Sequence, residues 1–339
     1  MQKIWLISCA FMVVLMVFVG GLTRLTDSGL SIVEWKPITG ILPPLNQRTW
    51  GEEFSSYKTS PEYQKLNKNF TLEDFKNIFW LEFIHRILGR ITGLIIIIPA
   101  IFFGIKKQIK NPMPYIAMCL LVILQGAMGW YMVKSGLVDN PHVSHYRLAM
   151  HLIMAILLYS VILWQIFQIS QQSSMSYSRK PGSSINNSPA HLRRGDTSTY
   201  PALTLFLIYI QIFLGGLVAG LDAGLIYNEY PMMGGNFVPH EFKLSTQLFN
   251  DPVSVQFLHR IMAYIVVFSS SLLSYKLLKH HKYLAYIVIA VVVCQFLLGI
   301  FTLLYIIPIK LALAHQLFAV LLLSVILYVI FQTKGANHE

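Results

Sequence analysis

Apolar residues occur along this chain in eight long stretches, separated by segments rich in charged residues, proline and glycine. A helix needs roughly 20 consecutive apolar residues to cross the hydrocarbon core of a bilayer, and each stretch is long enough. The pattern therefore predicts eight transmembrane helices, at residues 4–23, 79–103, 114–133, 146–168, 201–220, 254–275, 283–304 and 310–331.

The composition agrees with this prediction, because 55% of the residues are hydrophobic and only 12% are charged. A soluble domain has about 25% charged residues. The expected fold class is therefore an all-α integral membrane protein surrounded by membrane lipid. The net charge of +11 does not indicate a nucleic-acid partner, because the basic residues are spread over many loops.

Short loops on one side of the predicted membrane are rich in basic residues. Lys106, Lys107 and Lys110 follow the second stretch, and Lys276 and Lys279 follow the sixth. The positive-inside rule places such loops, and with them both termini, in the cytoplasm. No segment rich in arginine and serine precedes the first stretch, which favours a bacterial inner membrane over an organellar one.

The chain repeats itself at half its length. The sequences GGL at 20–22 and DSGL at 27–30 recur as GGL at 215–217 and DAGL at 222–225. Four apolar stretches separate matching elements, and an even number gives repeats of parallel topology. The prediction is two pseudo-symmetric four-helix bundles side by side.

This repeat divides the chain into three parts. Residues 1–169 form the first bundle and 201–339 the second, and the polar segment 170–200 is expected to be a cytoplasmic linker. Within the first part, the external loop 24–78 is long and contains several prolines and tryptophans. We expect an ordered lid there, with a short interfacial helix near 71–78.

One motif whose side chains could bind a cofactor or take part in a reaction lies in an apolar helix of each half. It reads EFIHR at 82–86 and QFLHR at 256–260, and a lone histidine follows two stretches later, His151 and His315 respectively. A titratable side chain at bilayer depth costs roughly 2.5–3.5 kcal/mol even on the most lenient scale. Four such histidines in a repeat are therefore hard to explain as accidents.

The spacing predicts two histidine pairs, His85 with His151 and His259 with His315, at similar depth toward the outer face. A single buried histidine is more often a core residue bonded to helix backbone. Two matched pairs inside helix bundles are instead typical of axial ligands to heme iron. The sequence thus predicts one heme site in each half.

The residues beside these histidines differ between the halves. Arg86 and Arg260 each follow a histidine and are expected to bind heme propionates, although interfacial arginines often only extend toward water. Glu82 lies one turn before its histidine, where the second half has Gln256. This predicts a reactive site in the first half, unless the carboxylate merely bonds a neighbouring helix.

Three glutamines, Gln125, Gln211 and Gln295, each precede a glycine by four residues. We interpret them as packing positions with interhelical hydrogen bonds. Among the alternatives for the whole chain, a diheme b-type cytochrome that only transfers electrons accounts for four histidines, but not for the Glu82/Gln256 difference. A transporter built from parallel repeats accounts for the duplication, but predicts broken helices at mid-membrane.

The paired histidine–arginine helices, Glu82 in the first half only, GGLTRLTDSGLS at 20–31 and VSHYRLAMHL at 143–152 resemble heme A synthases of the bacterial–mitochondrial type. The resemblance covers essentially the whole chain. Bacillus-type members carry a cysteine pair in the first external loop. The cysteines here all fall in predicted spans, so the chain resembles the other branch; they are Cys9, Cys119 and Cys294.

The resemblance implies an oxidoreductase that converts heme O to heme A, oxidising a ring methyl to a formyl group for cytochrome c oxidase. It implies that Glu82, His85 and His151 act on the substrate heme O. It further implies that His259 and His315 ligate a resident heme b, through which electrons enter. The electron donor, direct delivery by a heme O synthase and a homo-oligomeric state stay open.

Overall fold

The computed structural model describes residues 1–36, 40–138, 140–178 and 199–335. At 174–178 and 334–335 only the backbone is described. Its regular structure is helical. The α-helices are α1 (Gln2–Leu25), α2 (Gln47–Lys58), α3 (Pro61–Lys65), α4 (Leu72–Ile105), α5 (Met113–Gly136), α6 (His145–Ser178), α7 (Thr199–Gly220), α8 (Pro252–Leu277), α9 (Lys282–Leu304) and α10 (Ile309–Gly335).

Eight of these helices, α1 and α4 to α10, are long and apolar enough to cross a membrane. Each overlaps one predicted stretch, which confirms the all-α fold and the eight spans. The predicted linker 170–200 lies mostly outside the described residues. Its first part is helical, because α6 continues to Ser178.

The longest helices extend well beyond their apolar stretches. α4 and α6 have 34 residues each, or about 51 Å at 1.5 Å per residue. At the start of α4, the Thr71 side chain accepts from the Asp74 N–H, and the Asp74 carboxylate accepts from the Thr71 N–H. This capping box begins the helix at Leu72, so the helix expected at 71–78 is the outer end of α4 and not a separate element.

The external loop before α4 is ordered over its described part, as predicted for a lid. Asn46 caps α2 and Ser60 caps α3 through their side chains. Aromatic residues of α2 then pack on the outer end of α4, where Tyr57 and Phe75 have no exposed surface and their rings lie 5.1 Å apart. The lid is therefore anchored to the helix that carries Glu82 and His85.

The spanning helices pack in the same order in the two halves. α1, α4, α5 and α6 form a closed ring of neighbours, and α7, α8, α9 and α10 form another. The rings meet where α6 packs on α7 and α1 packs on α10. These neighbours are the ones that two adjacent four-helix bundles would have.

Candidate functional site

All four predicted histidines lie deep among the helices, and each keeps part of its surface accessible. Each imidazole also faces a glycine of the preceding helix. A β-carbon built on that glycine would stand close to the ring atom Cε1, so each glycine makes room for a ring. The pairs and these distances are Gly20–His85 (3.0 Å), Gly129–His151 (3.3 Å), Gly215–His259 (3.2 Å) and Gly299–His315 (2.9 Å).

The fold brings the histidines together in the pairs expected from the sequence. The His85 and His151 rings lie within electrostatic range of one another. The same holds for His259 and His315. In each pair, one imidazole lies on the second helix of its group of four and the other on the fourth. These helices are α4 and α6 in the first half, and α8 and α10 in the second.

The glutamines four residues before the glycines contact the histidines directly. Gln125 Nε2 lies 3.3 Å from His151 Nε2 and donates to the His151 carbonyl at 3.0 Å. Gln211 Nε2 lies 3.2 and 3.3 Å from the two ring nitrogens of His259, and donates to the His259 carbonyl at 3.2 Å. The interhelical hydrogen bonds expected for these glutamines therefore exist, and they lead to the imidazoles.

Gln295 contacts its histidine in another way. The His315 Nδ1 atom lies 3.2 Å from the backbone carbonyl oxygen of Gln295. If that ring nitrogen donates, Nε2 is the nitrogen left with a lone pair for a metal. The His85 ring differs from the other three, because neither of its nitrogens has a hydrogen-bond partner in the described part of the chain. Its Nδ1 and that of His151 are both buried without one.

Glu82 is buried and held by four donors. Ser31 Oγ donates to its Oε2 at 2.6 Å, and the backbone N–H of Ile32 donates to the same oxygen at 2.9 Å. Arg86 donates to Oε1 from Nε at 3.0 Å and from Nη2 at 2.6 Å. The carboxylate is thus fixed between the lid and the helix that carries His85.

The guanidinium of Arg86 also holds the lid, since it donates to the carbonyl oxygens of Ile32 and Glu34 at 2.8 and 3.3 Å. Arg86 Nη2 and Glu82 Oε1 form a largely buried ion pair at 2.6 Å. The predicted contact of Arg86 with a heme propionate stays a prediction.

The second half repeats this arrangement without the carboxylate. Gln256 Nε2 and Arg260 Nη2 both donate to the carbonyl oxygen of Tyr227, at 3.0 and 2.9 Å. Arg260 Nη1 donates to the carbonyls of Glu229 and Met232 at 3.0 and 3.1 Å. No described carboxylate lies within salt-bridge distance of Arg260, whereas Arg86 pairs with Glu82 at 2.6 Å.

The donor set fits heme better than a bare metal ion. Among the described residues, no cluster of three or more His, Cys, Asp or Glu side chains is placed to hold a metal ion. Heme iron needs only axial ligands from the protein, because the porphyrin supplies the equatorial ones. A pair of partly accessible imidazoles, with the Nδ1 atoms of His85 and His151 unpartnered, is such a set.

Some contacts of the site were missed by the sequence argument although a signal existed. Glu82 and Arg86 are four residues apart on one helix, the spacing of a helical ion pair, and they form one. The glycines that face the histidines lie at repeated positions. The contacts of Ser31 and Ile32 with Glu82 had no signal, because they depend on how the lid folds back.

The chain is similar to known proteins over almost its whole length. Residues 3–327 match the COX15-CtaA family, described as cytochrome oxidase assembly protein. A heme A synthase of Rickettsia bellii (strain OSU 85-389) is 48% identical over 334 residues, covering 96% of both chains. Heme A synthases of Rickettsia felis and Rickettsia canadensis are 46% and 48% identical, covering 97% and 98% of this chain and equal shares of their own.

Proposed function

The chain belongs to the COX15-CtaA family of cytochrome oxidase assembly proteins, and we propose that it converts heme O to heme A for cytochrome c oxidase. The observation that carries this proposal is the similarity to heme A synthases, which extends over 96% of the chain at 48% identity. Oxidation of a ring methyl to a formyl group removes four electrons, which an external oxidant such as dioxygen must accept. Two hydroxylations give a geminal diol, which then loses water.

The substrate heme O binds in the first half, between His85 and His151. The difference between Glu82 and Gln256 supports this assignment, because an amide cannot carry the negative charge that a carboxylate does. Glu82 lies three residues before His85 and therefore on the same face of α4. Its charge acts where oxidation of the methyl carbon develops positive charge.

The anchoring of Glu82 supports a fixed electrostatic role. Two donors from the lid and two from Arg86 hold its oxygens. A charge that is oriented before the reaction needs no reorganisation during it, which is why such groups lower barriers effectively. In this role Arg86 and Ser31 are positioning residues for the carboxylate.

The second half holds a resident heme b between His259 and His315. When bound, this group supplies reversible one-electron chemistry. The absence of a carboxylate within salt-bridge distance of Arg260 in the described part of the chain supports permanent retention, because heme propionates are anionic and a guanidinium pairs with them. In the first half, the ion pair with Glu82 already occupies the Arg86 guanidinium, which suits a site that must release its product.

The protein is a multi-pass membrane protein in this proposal, with both termini in the cytoplasm and both heme sites toward the outer face. The basic residues in the loops after α4 and α8 support that orientation. The inner membrane of a bacterium is its location.

The test is to purify the protein from a host that makes heme O and to identify the extracted hemes by chromatography. We expect heme A in the wild type, and heme O or a hydroxylated intermediate in Glu82→Gln. Glu62→Gln removes a buried carboxylate of the lid and serves as the matched control, in which heme A should persist. Heme b alone in the wild type, in a host shown to contain heme O, would leave a diheme electron carrier.

A further inference from the structure

Four equivalent positions lie one helical turn before the glycines that face the histidines. Three of them hold the glutamines described above, on α5, α7 and α9. The fourth, on α1, holds Met16, which is the counterpart of Gln211 in the repeat. Within this set, only His85 therefore has a methionine where the other histidines have a glutamine.

A ligating histidine needs a partner for its second ring nitrogen. When one nitrogen binds iron, the other carries a proton and donates it, and the acceptor fixes the tautomer and raises the basicity of the ligand. The carboxamide oxygens of Gln125, Gln211 and Gln295 are buried without a partner in the described part of the chain. A half-turn of the carboxamide lets the same side chain present either an N–H or an oxygen to a ring.

Met16 cannot do this for His85. Its thioether donates no hydrogen bond and accepts only weakly. Its Cε atom lies 3.6 Å from a β-carbon built on Gly89, so the side chain packs on α4 one turn beyond the histidine. Neither nitrogen of His85 has a hydrogen-bond partner in the described part of the chain, whereas His151, whose Nδ1 is also unpartnered, meets Gln125 at Nε2.

We propose that the side chains of Gln125 and Gln211 and the backbone carbonyl of Gln295 orient three of the four imidazoles, and that Met16 makes His85 the weakly held ligand that lets the first site exchange its heme. The second part rests on the proposed function, since only a substrate site has to admit heme O and release heme A. A site with both ligands reinforced retains its heme, as the second half does with Gln211 and Gln295. The first half keeps one reinforced ligand, His151.

The test exchanges the two residue types between equivalent positions in the purified holoprotein. Gln211→Met installs in the second half the residue that the first half has. It should raise the midpoint potential of the resident heme b, because a less basic ligand stabilises ferric iron less. It should also speed transfer of that heme to apomyoglobin by about 10- to 100-fold. Gln165→Met, the same change at a buried position of α6 more than two turns from His151, should alter neither.

The reciprocal variant Met16→Gln tests His85 and keeps the proposal testable if Gln211→Met fails to accumulate. It should slow transfer of first-site heme to apomyoglobin and leave the potential of the resident heme unchanged. An unchanged potential and transfer rate in Gln211→Met would overturn the positioning role of the glutamines. An unchanged transfer rate in Met16→Gln would overturn the role of Met16. If the wild type yields no heme A while Gln211→Met shifts the potential, the proposed function fails and the positioning role stands.

Discussion

Arg24 donates a 2.7 Å hydrogen bond from Nη2 to the carbonyl oxygen of Ala219, the residue at its own equivalent position in the second half of the chain. The same nitrogen contacts the Asp222 carboxylate at 2.6 Å, and Nη1 contacts Asp27 at 2.9 Å. Asp27 and Asp222 are themselves equivalent in the repeat. One arginine thus joins both halves where they meet at the ends of α1 and α7.

We expect Arg24→Leu to destabilise the contact between the halves. The side chain is only 18% exposed, and its removal deprives a carbonyl and two carboxylates of a charged donor. The expected loss in free energy of unfolding is about 1–3 kcal/mol, measured by thermal unfolding in detergent. Arg48→Leu breaks a pair whose arginine is 89% exposed and should change stability little. Equal effects of both variants would contradict a special role of Arg24.

The glycines that face the imidazoles should not tolerate a methyl group. In Gly215→Ala the new carbon would stand 3.2 Å from His259 Cε1, so the ring must move by a few tenths of an ångström. An off-rotamer ring costs on the order of 1 kcal/mol, so heme b retention should fall several-fold. Gly93→Ala, with no atom within 4 Å of the new carbon, is the control. Normal heme content in both variants, measured as pyridine hemochrome, would argue against a close approach at Gly215.

The two histidine pairs should differ in what their removal does. We expect His259→Ala to lose the resident heme b from the purified protein. His85→Ala should keep that heme but yield no heme A. Quantifying both hemes after extraction separates the two effects. Loss of heme b in His85→Ala with retention in His259→Ala would reverse the assignment of the two halves.

The lid should lose stability as the pH rises. Burial raises the pKa of the Glu62 carboxyl from 4.5 to about 7, and nearby Glu82 adds to the rise, while the hydrogen bond from Tyr57 opposes it. The folded state therefore binds a proton more tightly than the unfolded one. The stabilisation that comes from this tighter proton binding at Glu62 is complete below about pH 4.5 and is lost by about pH 7, a change of about 3 kcal/mol in the free energy of unfolding.

Glu62→Gln keeps an acceptor for the Tyr57 hydroxyl, which donates to the carboxylate at 2.9 Å, but cannot ionise. The variant should therefore show a smaller drop in melting temperature between pH 4.5 and pH 8 than the wild type. Glu52→Gln changes an exposed carboxylate of the same lid and should behave as the wild type does. The same pH dependence in wild type and Glu62→Gln would exclude Glu62 as its source.

Much of the fold followed from hydropathy and much of the site from the repeat. The eight spans and the histidine pairing needed only apolar stretches and spacing. Helix ends were less accessible, because hydropathy marks where apolar residues stop and not where backbone hydrogen bonds stop. For that reason α4 begins seven residues before its predicted start at 79, at a cap formed by Thr71 and Asp74.

The contacts of the site depended on how neighbouring helices are placed along one another. The sequence showed glutamines one turn before glycines, but not that this turn lies opposite an imidazole. The fixed state of Glu82 was hidden for a related reason, since Ser31 and Ile32 approach it from a loop about fifty residues away in sequence. Local spacing predicts partners on one helix and says little about partners from a folded loop.

The bond from Arg24 to Ala219 has a consequence for how such a chain arises. Two identical halves paired about a twofold axis would bring two copies of this residue together. Two arginines would repel one another across the axis, and two alanines would leave the flanking aspartates without a cation. Once both halves are encoded in one gene, each copy is free to mutate alone, and a single arginine serves both. A single chain therefore permits an asymmetric contact between equivalent positions that two identical halves could not form.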